Sequence, residues 1–206
     1  MLMFNDDKFS KHLIKTFSRT LMRVPSMEPL KKPAVVAIII KNTAPYSVCF
    51  IERTKRVGDP WSGHVSLPGG KISEDDNTLV DGVIRETTEE IGVNLKNESM
   101  IGNLGAIEAP NNLSGKSFHI IPFIFLISDA EASTAFIASK NEVQSFFWVP
   151  LELIYREKGL TTIEYAGARR KAYPAIPYQQ YFIWGLTLRV LRIFNSMLRT
   201  AVVFDS

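Results

Sequence analysis

Residues 85–92 read RETTEEIG and crowd Glu86, Glu89 and Glu90 beside Arg85. At roughly 100° per residue, the three carboxylates share one helical face within about 100° of arc, at spacings i, i+3 and i+4. Val80, Val83, Ile84, Thr87 and Ile91 fall on a separate stripe suited to a core. Like charges at i, i+4 cost about 0.2–0.5 kcal/mol on an exposed helix, and more where water is partly excluded. Arg85 flanks Glu89 and supplies one positive charge against three negative ones. A hard divalent cation would supply the rest, and Mg²⁺ or Mn²⁺ suits carboxylate oxygens best. Residue types alone leave open the plainer reading, a solvated acidic face.

The elements that must position these groups are legible around them. Residues from Thr78 to Ile91 predict a helix, with Thr78 and Asp81 spaced as a capping box and Gly92 as its stop. AVVAIII (34–40) is an apolar β-branched run, hence a buried strand, and VCFIER after the NTAPYS turn predicts its hairpin partner. The Gly- and Pro-rich segment 54–70 contains a short HVSL strand. SMIGNLGAIEAP and SFHIIPFIFLIS predict strands joined by an NNLSGK turn. FFWVPLELIYRE predicts a strand running into a short helix at Pro150, and GLTTIEYAGARRKAYPAIPYQ a hairpin or long loop.

Helices are expected at both ends. Phe9, Leu13, Ile14, Phe17 and Leu21 recur at helical spacing across residues 8–22, and Pro25, Pro29 and Pro33 mark a connector. YFIWGLTLRVLRIFNSML predicts a closing amphipathic helix with Leu186, Val190, Leu191 and Phe194 on one face, and Arg189 and Arg192 toward solvent. Strands interleaved with these helices imply a sheet covered on both faces.

Composition narrows the function class. The chain has 206 residues, a formal net charge of +3 and scattered Lys and Arg, too mild a balance for a nucleic-acid surface. Its one cysteine, Cys49, cannot form an internal disulfide and reads as a small buried hydrophobe. No apolar run is long enough for a membrane span, and no signal-peptide core stands at the N-terminus, so a cytoplasmic protein is the expectation.

The wider stretch GKISEDDNTLVDGVIRETTEEIGV (70–93) resembles the Nudix box of the Nudix hydrolases. Gly70, Arg85, Glu86, Glu89, Glu90, Gly92 and Val93 match that pattern, with Pro68 and Gly69 as its lead-in. The spacing from Gly70 to Arg85 is one residue longer than the general pattern, Asp76 stands where its first glutamate is expected, and Thr87 replaces an aliphatic residue. The first two departures are similar to the coenzyme A pyrophosphatase branch. GHVSLPGGKI, IERT and YFIWGLTLRVL also resemble that branch, although Leu67 replaces a phenylalanine. TKRVGDPWS departs from it in length and lacks its histidine.

The resemblance implies an α+β fold, a Nudix-type three-layer α/β/α sandwich with a mixed sheet spanning 33–206, preceded by an N-terminal helix and Pro-rich connector (1–32). It implies Mg²⁺- or Mn²⁺-dependent hydrolysis of a nucleoside diphosphate derivative, with coenzyme A or acyl-coenzyme A first. Alternatives are ADP-ribose, other nucleoside diphosphate derivatives, oxidised nucleotides, or a catalytically silent binding protein. By resemblance, Glu86 and Glu90 are metal ligands, Glu89 a third or the holder of a nearby water, and the Gly70 carbonyl a loop ligand. Arg85 orients the carboxylates. Glu142 is the foremost candidate base, ahead of Glu108 and His119.

Arg53, Lys55, Arg56 and Lys71 would grip phosphates, and Trp61 would stack on a base or pack under its loop. The Arg169–Arg170–Lys171 run would meet a 3′-phosphate or remain exposed loop charge. The expected partner is a small nucleotide derivative rather than nucleic acid, with no stable membrane insertion; a homodimer is compatible. Interfacial binding through Phe182, Ile183, Trp184 and Leu188 is the alternative to core packing of the last helix.

Overall fold

The computed structural model describes residues 8–21, 23–26, 33–59, 61–110, 117–165 and 171–203. Its elements run α1 (Lys8–Leu21), β1 (Ala34–Lys41), β2 (Ser47–Arg53), β3 (Val65–Ser66), β4 (Gly69–Lys71) and α2 (Leu79–Ile91). There follow β5 (Met100–Asn103), β6 (Ile107–Pro110), β7 (Ser117–Ile127), α3 (Asp129–Ala132), β8 (Val143–Pro150) and α4 (Leu151–Tyr155). The chain closes with β9 (Thr161–Tyr165), β10 (Lys171–Tyr178), β11 (Tyr181–Trp184) and α5 (Gly185–Val203).

β1 explains the layering. Val35, Ala37 and Ile39 point to one side and Ile38 and Ile40 to the other, all without solvent exposure. A strand apolar on both faces needs a cover on each. α2 supplies one cover, packing Leu79, Val83 and Ile91 on the Val35 side. α1 and α5 supply the other, with Phe9, Leu13, Phe17, Leu191, Phe194 and Leu198 in one cluster with Ile38 and Ile40. The result is an α/β/α sandwich about a mixed sheet, in which β1 runs parallel to β7 and antiparallel to β2 and β4. Cys49, on β2, is fully buried in the layer beneath α2.

One edge of β1 is shared. Ile40 pairs with Val48 of β2, whereas Ala34, Val35 and Val36 pair with Lys71, Gly70 and Gly69 of β4. The pairing lays the glycine turn against a strand buried on both faces and directly under α2.

Several expectations change in detail. Ile14 is 44% exposed, so α1 buries a narrower stripe than its periodicity suggests. The segment 160–180 is a hairpin, β9–β10, which β11 extends into a second, three-stranded sheet. YFIW, expected as the start of the last helix, is therefore a strand. Gln179 at φ 52° turns the chain tightly between β10 and β11, and Gly185 at φ 61° separates strand from helix. Four aromatic and apolar residues fit either period, and pairing with Ala175–Tyr178 decides for the strand.

The buried face of α5 consists of Leu188, Val190, Leu191, Phe194 and Leu198, with Leu186 only half-buried. Ile183 and Leu188 are core residues, which removes them from any interfacial face. No described helix is long and apolar enough to cross a membrane. The NNLSGK turn, Pro29 of the connector, and Arg169 and Arg170 lie outside the described residues.

Candidate metal centre and substrate site

α2 is fixed at both ends before it presents any chemistry. The Thr78 hydroxyl accepts from the Asp81 N–H at 3.1 Å, and the Asp81 carboxylate accepts from the Thr78 N–H at 2.9 Å. Gly92 ends the helix at φ 67°, donating to the Thr88 carbonyl. The Thr87 hydroxyl, on the core stripe, bonds the Val83 carbonyl at 2.8 Å, so its buried polar atom is satisfied.

The carboxylates grade from core to solvent. Glu90 is 2% exposed; the Glu86 and Glu89 side chains are 15% and 55% exposed. Beneath them run two glycines that no other residue could replace without rearrangement. Gly69 sits at φ 140°, and a Cβ there would drive into the Val35 backbone. Its N–H donates to Glu90 Oε2 at 2.8 Å. A Cβ on Gly70 would strike the Glu86 carboxylate. The missing side chains let the β4 backbone pass within reach of both acids.

Arg85 holds the outer part of the cluster. Its guanidinium grips Asp76 with two bonds, Nε to Oδ1 at 2.9 Å and Nη2 to Oδ2 at 2.8 Å. Nη1 donates to Glu86 and to Glu89, each at 3.0 Å, and Nη2 also reaches the Lys71 carbonyl at 3.1 Å. Asp76 is buried and additionally accepts from the Ser73 N–H at 2.7 Å. The longer loop with an aspartate thus carries a closed carboxylate–guanidinium fork.

Electrostatics separate the two buried acids. Arg85 beside Asp76 holds its carboxyl below the ordinary range. Burial pushes Glu90 up to about 8, helped by repulsion from Glu86 and Glu142 and opposed by the Gly69 N–H and the Arg53 charge. Burial also raises Glu86 against the pull of Arg85. Among the described residues no three acidic, histidine or cysteine side chains converge as a ready-made chelate. Arg85 accounts for this by drawing Glu86 and Glu89 onto itself. The donor set nevertheless suits a hard cation: all its ligating atoms are oxygens, Glu90 is buried without a charged hydrogen-bond partner, and the glycine cradle admits backbone carbonyls. Glu86, Glu90 and the Gly70 carbonyl would hold such an ion, with Glu89 at the rim.

The remaining predicted residues divide. Arg53, on β2, is near enough for its charge to act on Glu90, and its guanidinium pairs with Asp59 at 2.9 Å while its Nε is buried and unpartnered within the described residues. Glu142 is exposed on the loop before β8, and its charge acts on both Glu86 and Glu90. That loop is bound to the 54–63 loop: Thr54 N–H donates to the Glu142 carbonyl at 2.9 Å, Thr54 Oγ1 to the Lys140 carbonyl at 3.1 Å, and the Arg56 guanidinium to the Asn141 carbonyl. Lys71 contributes its backbone to Arg85 and leaves its side chain exposed. The Lys55 stem lies over Gly63.

Trp61 is 42% exposed and so does not pack under its loop. Glu108 and His119 face each other across β6 and β7; Glu108 is exposed and its carbonyl accepts from Arg189.

Two groups escaped the sequence reading. Asp59 anchors Arg53 and accepts from the Trp61 N–H at 2.9 Å, yet a lone aspartate in a Gly/Pro-rich loop gives no such signal. His64, Tyr165, Tyr173 and Trp184 form a ring cluster from three separate chain segments.

Comparison with known proteins identifies the family. The NUDIX domain model matches residues 30–171. The chain therefore belongs to the Nudix family and is a Nudix hydrolase. The uncharacterized Nudix hydrolase NudL of Pectobacterium atrosepticum is 29% identical over 177 residues, covering 81% of this chain and 84% of that protein. NudL of Yersinia pestis (strain Pestoides F) is 31% identical over 133 residues, 64% of this chain and 62% of its own length. An Ap4A hydrolase binary complex from C. elegans shares the fold at a TM-score of 0.50 and 16% identity, covering 82% of this chain and 98% of that one.

Proposed function

We propose that the protein cleaves the pyrophosphate bond of a nucleoside diphosphate derivative with the help of Mg²⁺ or Mn²⁺, and that coenzyme A or acyl-coenzyme A is the first substrate to test. The observation that carries this reading is the pair Glu86 and Glu90, one turn apart over the glycines of β4, with the Arg53 charge acting on Glu90. A bound divalent ion would supply charge neutralisation for phosphate oxygens and a more acidic water. Glu86, Glu90 and the Gly70 carbonyl would hold it, and Glu89, more exposed, would hold a water beside it. Arg85, itself locked by Asp76, positions Glu86 and Glu89 and does not touch the substrate.

Arg53 exchanges Asp59 for a phosphate oxygen, since a phosphate offers the same fork-shaped acceptor. Arg56 and Lys71 would add positive charge for the phosphates, and Trp61 an exposed ring for the base. Glu142 is the candidate base, because its exposed carboxylate is brought to the α2 acids by the 54–63 loop. Residues 33–206 form the catalytic domain in this reading, and 1–32 its N-terminal appendage.

ADP-ribose and other nucleoside diphosphate derivatives form the second reading, favoured by the departure of TKRVGDPWS from the coenzyme A pattern. A substrate panel with Mg²⁺, read by product chromatography, decides between them. Coenzyme A should give 3′,5′-ADP and 4′-phosphopantetheine. AMP from ADP-ribose with coenzyme A untouched would move the assignment to the second reading, and no turnover on any member would leave a binding protein.

A further inference from the structure

We propose that Trp184, with His64, Tyr165 and Tyr173 around it, is a stacking platform for the planar ring of a nucleotide whose phosphates lie at Arg53. The proposal rests on the diphosphatase reading for the phosphates and deepens it by assigning the group beyond them. Trp184 is the hub: its ring centroid lies 4.7 Å from that of His64, 5.0 Å from Tyr165 and 5.5 Å from Tyr173, and His64 meets Tyr165 edge-on at 5.3 Å. The rings come from the loop before β3, the end of β9, and β10 with β11.

These are not core aromatics. All four are half-buried, and none belongs to either apolar core cluster, whereas Phe17, Phe50, Phe123, Phe125 and Phe194 are fully enclosed. Centroid separations near 5 Å leave no slot between the rings, so a ligand ring must lie on the outer face of the cluster rather than inside it. Within the described residues neither the Trp184 indole N–H nor the Tyr173 hydroxyl has a hydrogen-bond partner, so polar tips remain for a heterocycle's edge.

Position selects the ligand. The Arg53 N–H donates to the His64 carbonyl at 3.0 Å, and the Arg53 charge acts on Glu90 to one side and on the His64 ring to the other. The surface thus runs from the α2 carboxylates through one guanidinium to the rings, the order of phosphates followed by base in a nucleotide. Burial lowers the His64 pKa, which keeps the ring neutral and suited to stacking at pH 7.

The test uses the full chain with Mg²⁺, titrated separately with ADP and with inorganic pyrophosphate by calorimetry. Stacking a base on an aromatic side chain changes affinity by roughly 5- to 150-fold. Trp184→Leu should weaken ADP by about 10-fold or more, leave pyrophosphate within about 2-fold, and be largely rescued by Trp184→Phe. In saturation-transfer NMR the base protons of ADP should receive more saturation than the ribose protons in the wild type, and lose that excess in the variant. Tyr173→Leu, at the rim of the cluster, repeats the test in case Trp184→Leu loosens β11. An unchanged ADP affinity, a parallel loss of ADP and pyrophosphate in both leucine variants, or no excess saturation on the base overturns the platform. Binding is read without turnover, so hydrolysis with an undisturbed ADP affinity would sink the platform alone, and an inert chain that still prefers ADP through Trp184 would sink the hydrolase reading alone.

Discussion

Asp76 and Glu90 flank the same helix, are both buried, and belong to the same acidic motif, yet they live in opposite electrostatic conditions. Asp76 is clamped by two bonds from Arg85 and one from the Ser73 N–H, and its carboxyl is held below the ordinary range. Among the described residues Glu90 has one neutral N–H donor, and its pKa is raised. The first is neutralised inside the protein; the second is kept short of positive charge. One acid stands in the loop that leads into α2 and the other in its last turn: the closed ion pair at Asp76 fixes the frame, and Glu90 is left without a compensating charge.

The sharpest way to break this contrast is Glu90→Gln. It removes the charge at the uncompensated end, so turnover should fall at least about 100-fold in steady-state assays. The metal-free variant should be at least as heat-stable as the wild type near pH 7, since burying this carboxyl, with its pKa raised to about 8, requires taking up a proton that the amide does not need. Mn²⁺ should raise the thermal midpoint of the wild type and not that of the variant. A variant that melts far lower in the absence of metal would mean that Glu90 is structural after all.

Asp76→Asn attacks the other end and should cost about 2 kcal/mol in denaturant unfolding, because Arg85 loses its charged fork partner. The sign with pH follows from a depressed folded pKa. The stabilisation is present above the ordinary value of 3.8 and is lost as pH falls below it, so wild type and variant should converge in acid. Activity should fall less than for Glu90→Gln, through loosened positioning of Glu86 and Glu89.

Gly70→Ala should act between the two ends. The new Cβ displaces the Glu86 carboxylate, lowering turnover by about 10-fold with little change in stability, as the shift is confined to one side chain. The smallest effect is expected at Arg192→Ala, where Glu157 is held by two bonds of 2.8 Å at the partly exposed junction of α4 and α5. About 0.5–1 kcal/mol should be lost near neutral pH and nothing in turnover.

Much of the contrast could be read in advance, because it is local. The capping box, the three-glutamate face and the Gly92 stop all depend on residues within one or two turns, where spacing fixes geometry. The α/β/α layering followed from β1, whose apolar run has no polar face to expose. What the sequence withheld depends on long-range pairing. YFIW has the same apolar content in a helix or a strand, and only its register with β10 turned it into β11. The ring cluster arises where distant segments meet, so the sequence marks Trp61 for stacking and places Trp184 in a helix; Asp59 meets Arg53 six residues back across an irregular loop, where spacing carries no signal. Asp76 was visible as a motif position, but its two-pronged hold on Arg85 was not, since side-chain reach across a loop has no spacing rule.

Cys49 lies fully enclosed on β2, and burial followed by the nearby Glu90 charge pushes its thiol pKa up. It cannot react while the sheet is intact. The chain therefore carries its own opening clock. The rate at which a maleimide captures this thiol reports how often the central sheet separates, without any introduced label. If divalent cations bind at Glu90 just above it, the clock should slow in proportion to their occupancy, giving a measure of ion affinity that needs neither substrate nor turnover.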